Sequence, residues 1–278
     1  MDLAAFRADL RLSGRGPTLL EMGCRTDGSV APRICCVSPS VVPQPDDWDS
    51  ATTTMTGYLR LEGAAEWTPD AALATFLTCA DSSSDAAAEA KPVVYIGFGS
   101  MTRLEPAVLE AIVLPAVRET GVRAVLQLGW SGSVASSRTA SEDVFYLDSA
   151  PHANLFPLVS AVVHHGGAGT TAAGLAAGRP TLICPVGADQ FMWAARVHEL
   201  GCGPAPIDLV RLTPSLLAAR LRALVGNVGF RARATELAAH IAREDGLVLA
   251  IEVIEAEGRR CGKMPPAAAA ASQGGRDK

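Results

Sequence analysis

Ala161-Val162-Val163-His164-His165-Gly166-Gly167-Ala168-Gly169-Thr170-Thr171 runs from a short apolar segment through a glycine-rich turn into a helix-forming stretch. The apolar start reads as a strand buried on both faces, the kind found in parallel sheets. Three glycines allow close backbone approach to a ligand and conformations closed to other residues. In open α/β sheets ligands lie outside the carboxyl ends of strands, so this segment bears on both the fold class and the place of a site. A helix opening there presents unpaired N–H groups and the positive end of its dipole, which suits an anion. Thr170 and Thr171 add hydroxyl donors, and His165 can donate a ring N–H to a phosphate oxygen, more strongly when protonated. A tight turn with a threonine N-cap and two core histidines would give the same spacing.

The flanking sequence repeats the pattern. Val93-Val94-Tyr95-Ile96-Gly97-Phe98 is a buried strand ending in Gly99-Ser100, and further strands are expected at 122–128, 144–147 and 181–184. Helices are expected at 106–120, 168–177, 190–200, 214–225 and from about 230 into 257. Pro106 suits a helix start, whereas Pro115 should kink or split the helix that contains it. Continuous apolar strands alternating with helices predict an α/β fold, a Rossmann-like parallel sheet with helices on both faces.

Other strand ends on that edge carry ligand-type residues. Cys184-Pro185-Val186-Gly187-Ala188-Asp189-Gln190 opens a helix, where Asp189 serves most simply as an N-cap. A carboxylate beside an amide is also how proteins grip sugar hydroxyls, because one accepts and the other both donates and accepts. Trp130 is either core packing or a surface for a base to stack on. Pro151-His152 ahead of Leu155-Phe156-Pro157 marks a fourth loop, with His152 more often structural than a ligand in such a setting.

Composition narrows the function. The net charge is −5 and no Lys/Arg run forms a stripe, which argues against a nucleic-acid partner. Seven scattered cysteines without C-x-x-C spacing argue against a zinc site or a disulfide framework and suit reduced, cytoplasmic thiols. The first residues lack signal-peptide character, and no apolar run is long enough to span a membrane. Domain boundaries are expected as a front segment at 1–62, a linker at 63–91, the Rossmann-like domain at 92–260 and a disordered tail at 261–278.

Taken in order, Phe98-Gly99-Ser100-Met101, Gly129-Trp130, Pro151-His152, Leu155-Phe156-Pro157, the segment from His164 to Thr171, and Asp189-Gln190, 24 residues beyond His165, resemble family 1 glycosyltransferases of the GT-B fold. The resemblance covers roughly residues 92–258 and is strongest to sterol 3-beta-glucosyltransferases. Ser38-Pro39-Ser40 through Trp48, followed by Thr56-Gly57-Tyr58, resembles the passage that closes the acceptor domain of that family. The resemblance implies the C-terminal half of a GT-B fold that holds a UDP-sugar, with UDP-glucose as the expected donor. His165 and the backbone of Gly167, Ala168, Gly169 and Thr170 would hold the diphosphate, with Ser100 assisting. Asp189 and Gln190 would bind hexose hydroxyls, and the chain near Ala150 and His152, with Trp130, would lie toward the nucleoside. The sequence departs from the family at Ala153-Asn154, where Asp-Trp is usual, and has no acidic residue in 171–174 to hold the ribose. The implied reaction is hexosyl transfer to a sterol or similar lipid hydroxyl, needing no metal or other cofactor and allowing peripheral contact with a membrane. Residues 1–62 would be only the end of the acceptor domain, so the acceptor pocket and the base would lie outside this sequence, as in a fragment or truncated gene model. A donor-binding module without chemistry of its own, a nucleotide-sugar 2-epimerase and a ligand-free structural protein are the rival readings.

Overall fold

Why five short strands form one sheet follows from their residues: each is apolar, and alternate side chains enter opposite layers. The computed structural model describes residues 30–60, 67–78, 91–99, 105–128 and 141–262. The sheet contains β3 (Val93–Gly97), β4 (Arg123–Gln127), β5 (Val144–Tyr146), β6 (Ala161–His164) and β7 (Thr181–Ile183), all parallel, in the order β5-β4-β3-β6-β7. The front segment contributes a separate parallel pair, β1 (Arg33–Cys35) and β2 (Thr53–Met55).

Helices cover both faces of the large sheet. On one side Val94, Ile96, Ala124, Leu126 and Val163 meet Leu109, Val113 and Val117 of α2 (Pro106–Thr120) and Leu217 and Leu221 of α6 (Pro214–Gly226). On the other, Val93, Tyr95, Val125 and Val162 meet Leu73, Phe76 and Leu77 of α1 (Ala71–Thr78), and Leu155 of the short α3 (His152–Leu155) with Phe156 just beyond it. A third cluster joins α4 (Ala168–Ala176), α5 (Gln190–Glu199) and α7 (Val228–Ile241) through Leu175, Trp193, Val197, Leu237 and Ile241. Chain order thus runs outward from β3 in one direction through β4 and β5, and resumes on its other side with β6 and β7. The switch lies between the ends of β3 and β6, where Gly97 is in register with His164.

Several expectations are revised. Pro115 neither splits nor ends α2, which runs unbroken to a left-handed Gly121. The single helix expected from about 230 into 257 is two, α7 and α8 (Gly246–Arg260). The break has a tertiary cause. Arg60 donates to the carbonyls of Ile241 and Glu244, Asp245 accepts from Val248 N–H to start α8, and a Cβ at Gly246 would lie 2.6 Å from the Tyr58 carbonyl oxygen. Elsewhere α1 packs against the sheet, and Val41 is fully buried against the α5/α7 cluster. Ser38 and Ser40 hydroxyls both donate to Glu244 Oε1, at 2.6 and 3.0 Å, and Arg196 Nε donates to the Val41 carbonyl. Among the described residues no helix is long and apolar enough to cross a membrane.

Candidate functional site

The loops after β3 and β6 meet at the topological switch, and His165 is the contact between them. Its half-buried ring lies against Gly99 and Gly167. A Cβ built on Gly99 would stand 2.9 Å from its Cε1, and one built on Gly167 would stand 2.8 Å from its Nε2. Glycine is required at 99 for a second reason, a φ of +66°. His165 Nδ1 is buried with no hydrogen-bond partner among the described residues, the kind of unsatisfied polar atom that structures tolerate at functional sites.

Its neighbour serves the fold instead. His164 is fully buried, and its Nδ1 accepts the Gly166 N–H at 2.9 Å, so the ring proton resides on Nε2. That bond fixes Gly166 at a φ of +93°, where a Cβ would fall 2.7 Å from Ile183 Cγ2. Burial, reinforced by the charges of His165 and His152, pushes the His164 pKa down to about 3. Of the two histidines, one is core and one faces the loops.

α4 begins at Ala168 with Gly167 as its N-cap, so neither threonine caps it. Ala168 and Gly169 are exposed and Thr170 is half-buried, and their N–H groups have no acceptor within the helix. Thr171 is buried and its hydroxyl donates back to the Gly167 carbonyl at 3.0 Å, which removes it from the expected donors. The result is a row of backbone donors at the positive end of a helix, beside His165. Burial lowers the His165 pKa, partly offset by the Asp189 carboxylate. A neutral ring N–H is therefore what this histidine offers near neutral pH, rather than the imidazolium that the sequence allowed.

The next loop is pinned from inside. Gln190 is buried, and its Oε1 accepts from the N–H groups of Val186 and Gly187 at 2.8 and 3.2 Å. Ala188, at a φ of +52°, is the only non-glycine residue with positive φ among those described, a strained position of the kind found at binding loops. Asp189 occupies the N-cap position of α5, but its backbone is helical and its side chain caps nothing. Its Oδ2 accepts the Trp193 indole N–H at 2.8 Å. The simple N-cap reading of Asp189 is thereby replaced, and Trp193 enters as a residue that the sequence reading missed, although its four-residue spacing from Asp189 was visible.

His152 opens α3 and stacks on Phe156, with ring centroids 4.6 Å apart and planes 14° apart. Its Nε2 lies 3.3 Å from the Tyr95 hydroxyl, which donates to Gln127 Oε1 at 2.5 Å, while Gln127 Nε2 donates to the Asp148 carbonyl at 3.0 Å. Burial, then the charge of His165, lowers the His152 pKa. This chain ties the ends of β3 and β4 to the loop carrying Ala150. Tyr95 had no signal in the sequence beyond an aromatic in a strand. Ser100 and Trp130 lie outside the described residues. Among the described residues no group of three or more His, Cys, Asp or Glu side chains is arranged to hold a metal ion.

A parallel sheet covered on both faces, with glycine loops and a helix N-terminus at its switch point and an Asp-Gln pair after β7, is the arrangement of doubly wound α/β domains, whose ligands lie outside the carboxyl ends of the strands. Residues 111–247 match the family model of the erythromycin biosynthesis protein CIII-like C-terminal domain. The chain is 39% identical over 215 residues to a sterol 3-beta-glucosyltransferase of Arabidopsis thaliana, covering 77% of this chain and 33% of that protein. It therefore spans about a third of the length of that relative. A solved structure of the glycotransferase of kitacinnamycin superposes with a TM-score of 0.64 at 21% identity, covering 90% of this chain and 59% of its own. The glycosyltransferase VinC, solved in complex with dTDP, superposes with a TM-score of 0.50 at 26% identity, over 63% of this chain and 44% of its own. The sheet is the Rossmann-like half of a GT-B glycosyltransferase fold.

Proposed function

We propose that this chain is the donor-binding half of a glycosyltransferase that passes a hexose, glucose in the first instance, from a UDP-sugar to the hydroxyl of a sterol or similar lipid. The observation that carries this reading is His165 held between Gly99 and Gly167 at the switch point, beside the N–H groups of Ala168, Gly169 and Thr170, which have no acceptor within their helix. In the transfer, the acceptor oxygen bonds to the anomeric carbon as the bond from that carbon to the diphosphate breaks. Negative charge grows on the leaving diphosphate. Fixed N–H donors aimed at those oxygens stabilise it without reorganising, which is how such sites gain most of their rate. His165 supplies a neutral donor and the helix end supplies three more, so the reading calls for no metal or other cofactor.

Asp189 and Gln190 would hold hexose hydroxyls. Ala150 and His152, with Trp130, would lie toward uracil and ribose, and Ser100 would join the diphosphate. The relative named as a sterol 3-beta-glucosyltransferase supports glucose and a sterol, and the dTDP complex of VinC supports a nucleoside diphosphate in a domain of this kind. The acceptor pocket and the base that takes the acceptor proton would come from the remainder of such an enzyme, with residues 1–62 as the closing piece of its acceptor domain, 63–91 as the link and 92–260 as the donor domain. Action on a lipid fits a cytoplasmic protein with peripheral membrane contact. A second reading is a donor-binding module with no turnover of its own.

Calorimetric titration of UDP-glucose into the parent and into His165→Ala tests the site. Saturable binding weakened at least about tenfold by the substitution, the loss expected for a hydrogen bond to a charged group, is the expected result. Binding that ignores the substitution would remove His165 from the donor site. Transfer of labelled glucose to a sterol then separates enzyme from module.

A further inference from the structure

We propose that Trp193 is a positioning residue, which holds the Asp189 carboxylate so that one oxygen is committed to the protein and the other is left for a sugar hydroxyl. The inference rests on the donor-site reading above and deepens it.

Asp189 stands at the exposed start of α5, where an aspartate ordinarily turns inward to cap its own helix. Capping needs an extended backbone at that residue. Asp189 has φ −70° and ψ −10°, and no cap bond forms. Oδ2 instead takes the indole N–H of Trp193, one turn along the same helix, at 2.8 Å. An indole N–H can only donate, so this partner imposes one role on that oxygen. The ring is 6% exposed and packs with Leu175, Ile183 and Val197, so packing, rather than the bond itself, sets the direction of the N–H.

The neighbouring amide is treated in the same way. Gln190 Oε1 is spent on Val186 and Gly187, which fixes the plane of the amide and leaves its Nε2 hydrogens without a partner among the described residues. Asp189 Oδ1 is left as an acceptor and Gln190 Nε2 as a donor, each group already fixed by a bond through its other atom. One sugar hydroxyl donating to the carboxylate and one accepting from the amide would match these groups. A hexose with free hydroxyls fits both groups, and a deoxy sugar lacking either hydroxyl would leave one of them unpaired. Ordering of both side chains is completed in the folded protein, so the ligand need not supply it.

The test is the ratio of UDP-glucose to UDP affinity, measured by calorimetry on the full chain for the parent, Trp193→Phe, Asp189→Asn and the double variant. Trp193→Phe keeps an aromatic ring and removes the N–H. The expected result is UDP affinity within about twofold of the parent and a UDP-glucose to UDP ratio about tenfold lower, with no further fall in the double variant relative to Asp189→Asn. Equal weakening of both ligands would make Trp193 a packing residue and overturn the proposal, as would additive effects in the double variant. A parent that binds UDP with no contribution from glucose would overturn it while leaving a nucleotide site. A parent that binds neither ligand would overturn the donor-site reading itself.

Discussion

Replacing Gly166 with alanine should damage the fold, while the same change three residues later should not. Gly166 has a φ of +93°, and an added Cβ would meet Ile183 Cγ2 at 2.7 Å, Gln190 Cβ at 3.2 Å and the Gln190 carbonyl oxygen at 3.2 Å. The left-handed backbone costs an alanine about 1–2 kcal/mol. The contacts add an overpacking cost of about 1–3 kcal/mol, because Ile183 is fixed within the sheet and the Gln190 carbonyl belongs to a helix start. The sum, about 2–5 kcal/mol, corresponds to a melting temperature lower by about 5–15 °C for a domain of this size. Gly169 is the internal control. It lies in the first turn of α4 with nothing within 4 Å of a built Cβ, so alanine there should be neutral or stabilising by up to about 1 kcal/mol. Urea and thermal unfolding of the two variants beside the parent measure the contrast. Equal stabilities for the two variants would refute the placement of Gly166 against β7 and α5.

Gly167→Ala separates site from fold, since its backbone is ordinary (φ −59°, ψ 138°) and its added Cβ meets the His165 ring, with Nε2 nearest at 2.8 Å. UDP-glucose affinity should fall about tenfold with stability changed by less than about 1 kcal/mol, as read by calorimetry and urea unfolding. Stability should also fall in mild acid. His164 is neutral in the folded chain with a pKa of about 3, whereas unfolded histidine titrates near 6.5, so below that pH only the unfolded chain takes up the proton. The stabilisation is complete above 6.5 and shrinks as the pH drops, by about 2 kcal/mol at pH 5, with His165 and His152 acting in the same direction. Urea midpoints at pH 7.5 and 5 should show it, and His164→Gln should flatten the slope. Finally, Glu244→Ala removes the acceptor of Ser38 and Ser40 and should cost about 1–3 kcal/mol, with Ser38→Ala adding less in that background than alone, as a double-mutant cycle would reveal.

What the sequence could tell depended on how local the cause was. The strand, turn and helix from β6 to α4 were legible because an apolar run ends in consecutive glycines, and α2 was bounded by Pro106 and the adjoining Gly121. The break between α7 and α8 was not legible. Residues 242–245 carry no proline or glycine, and the helix stops there because Arg60, nearly two hundred residues earlier, takes the carbonyls of Ile241 and Glu244. Site residues divide in the same way. Asp189 and Gln190 could be picked out by their chemistry, but the partner that orients each carboxyl or amide oxygen depended on backbone angles and on packing of the Trp193 ring. The protonation of His165 needed its burial, and the Tyr95–Gln127 link to His152 needed the pairing of β3 with β4. The family resemblance already singled out His165, whereas the role of His164, turned inward to accept from Gly166 N–H, awaited the structure.

The central claim is that a nucleoside diphosphate binds at the switch between β3 and β6. A crystal structure of the chain with UDP tests it most directly. The account predicts diphosphate oxygens within hydrogen-bond distance of a His165 ring nitrogen and of the N–H groups of Ala168, Gly169 and Thr170, with the nucleoside toward His152. A diphosphate bound elsewhere on the chain, or one at the switch that touches neither His165 nor the start of α4, would contradict it.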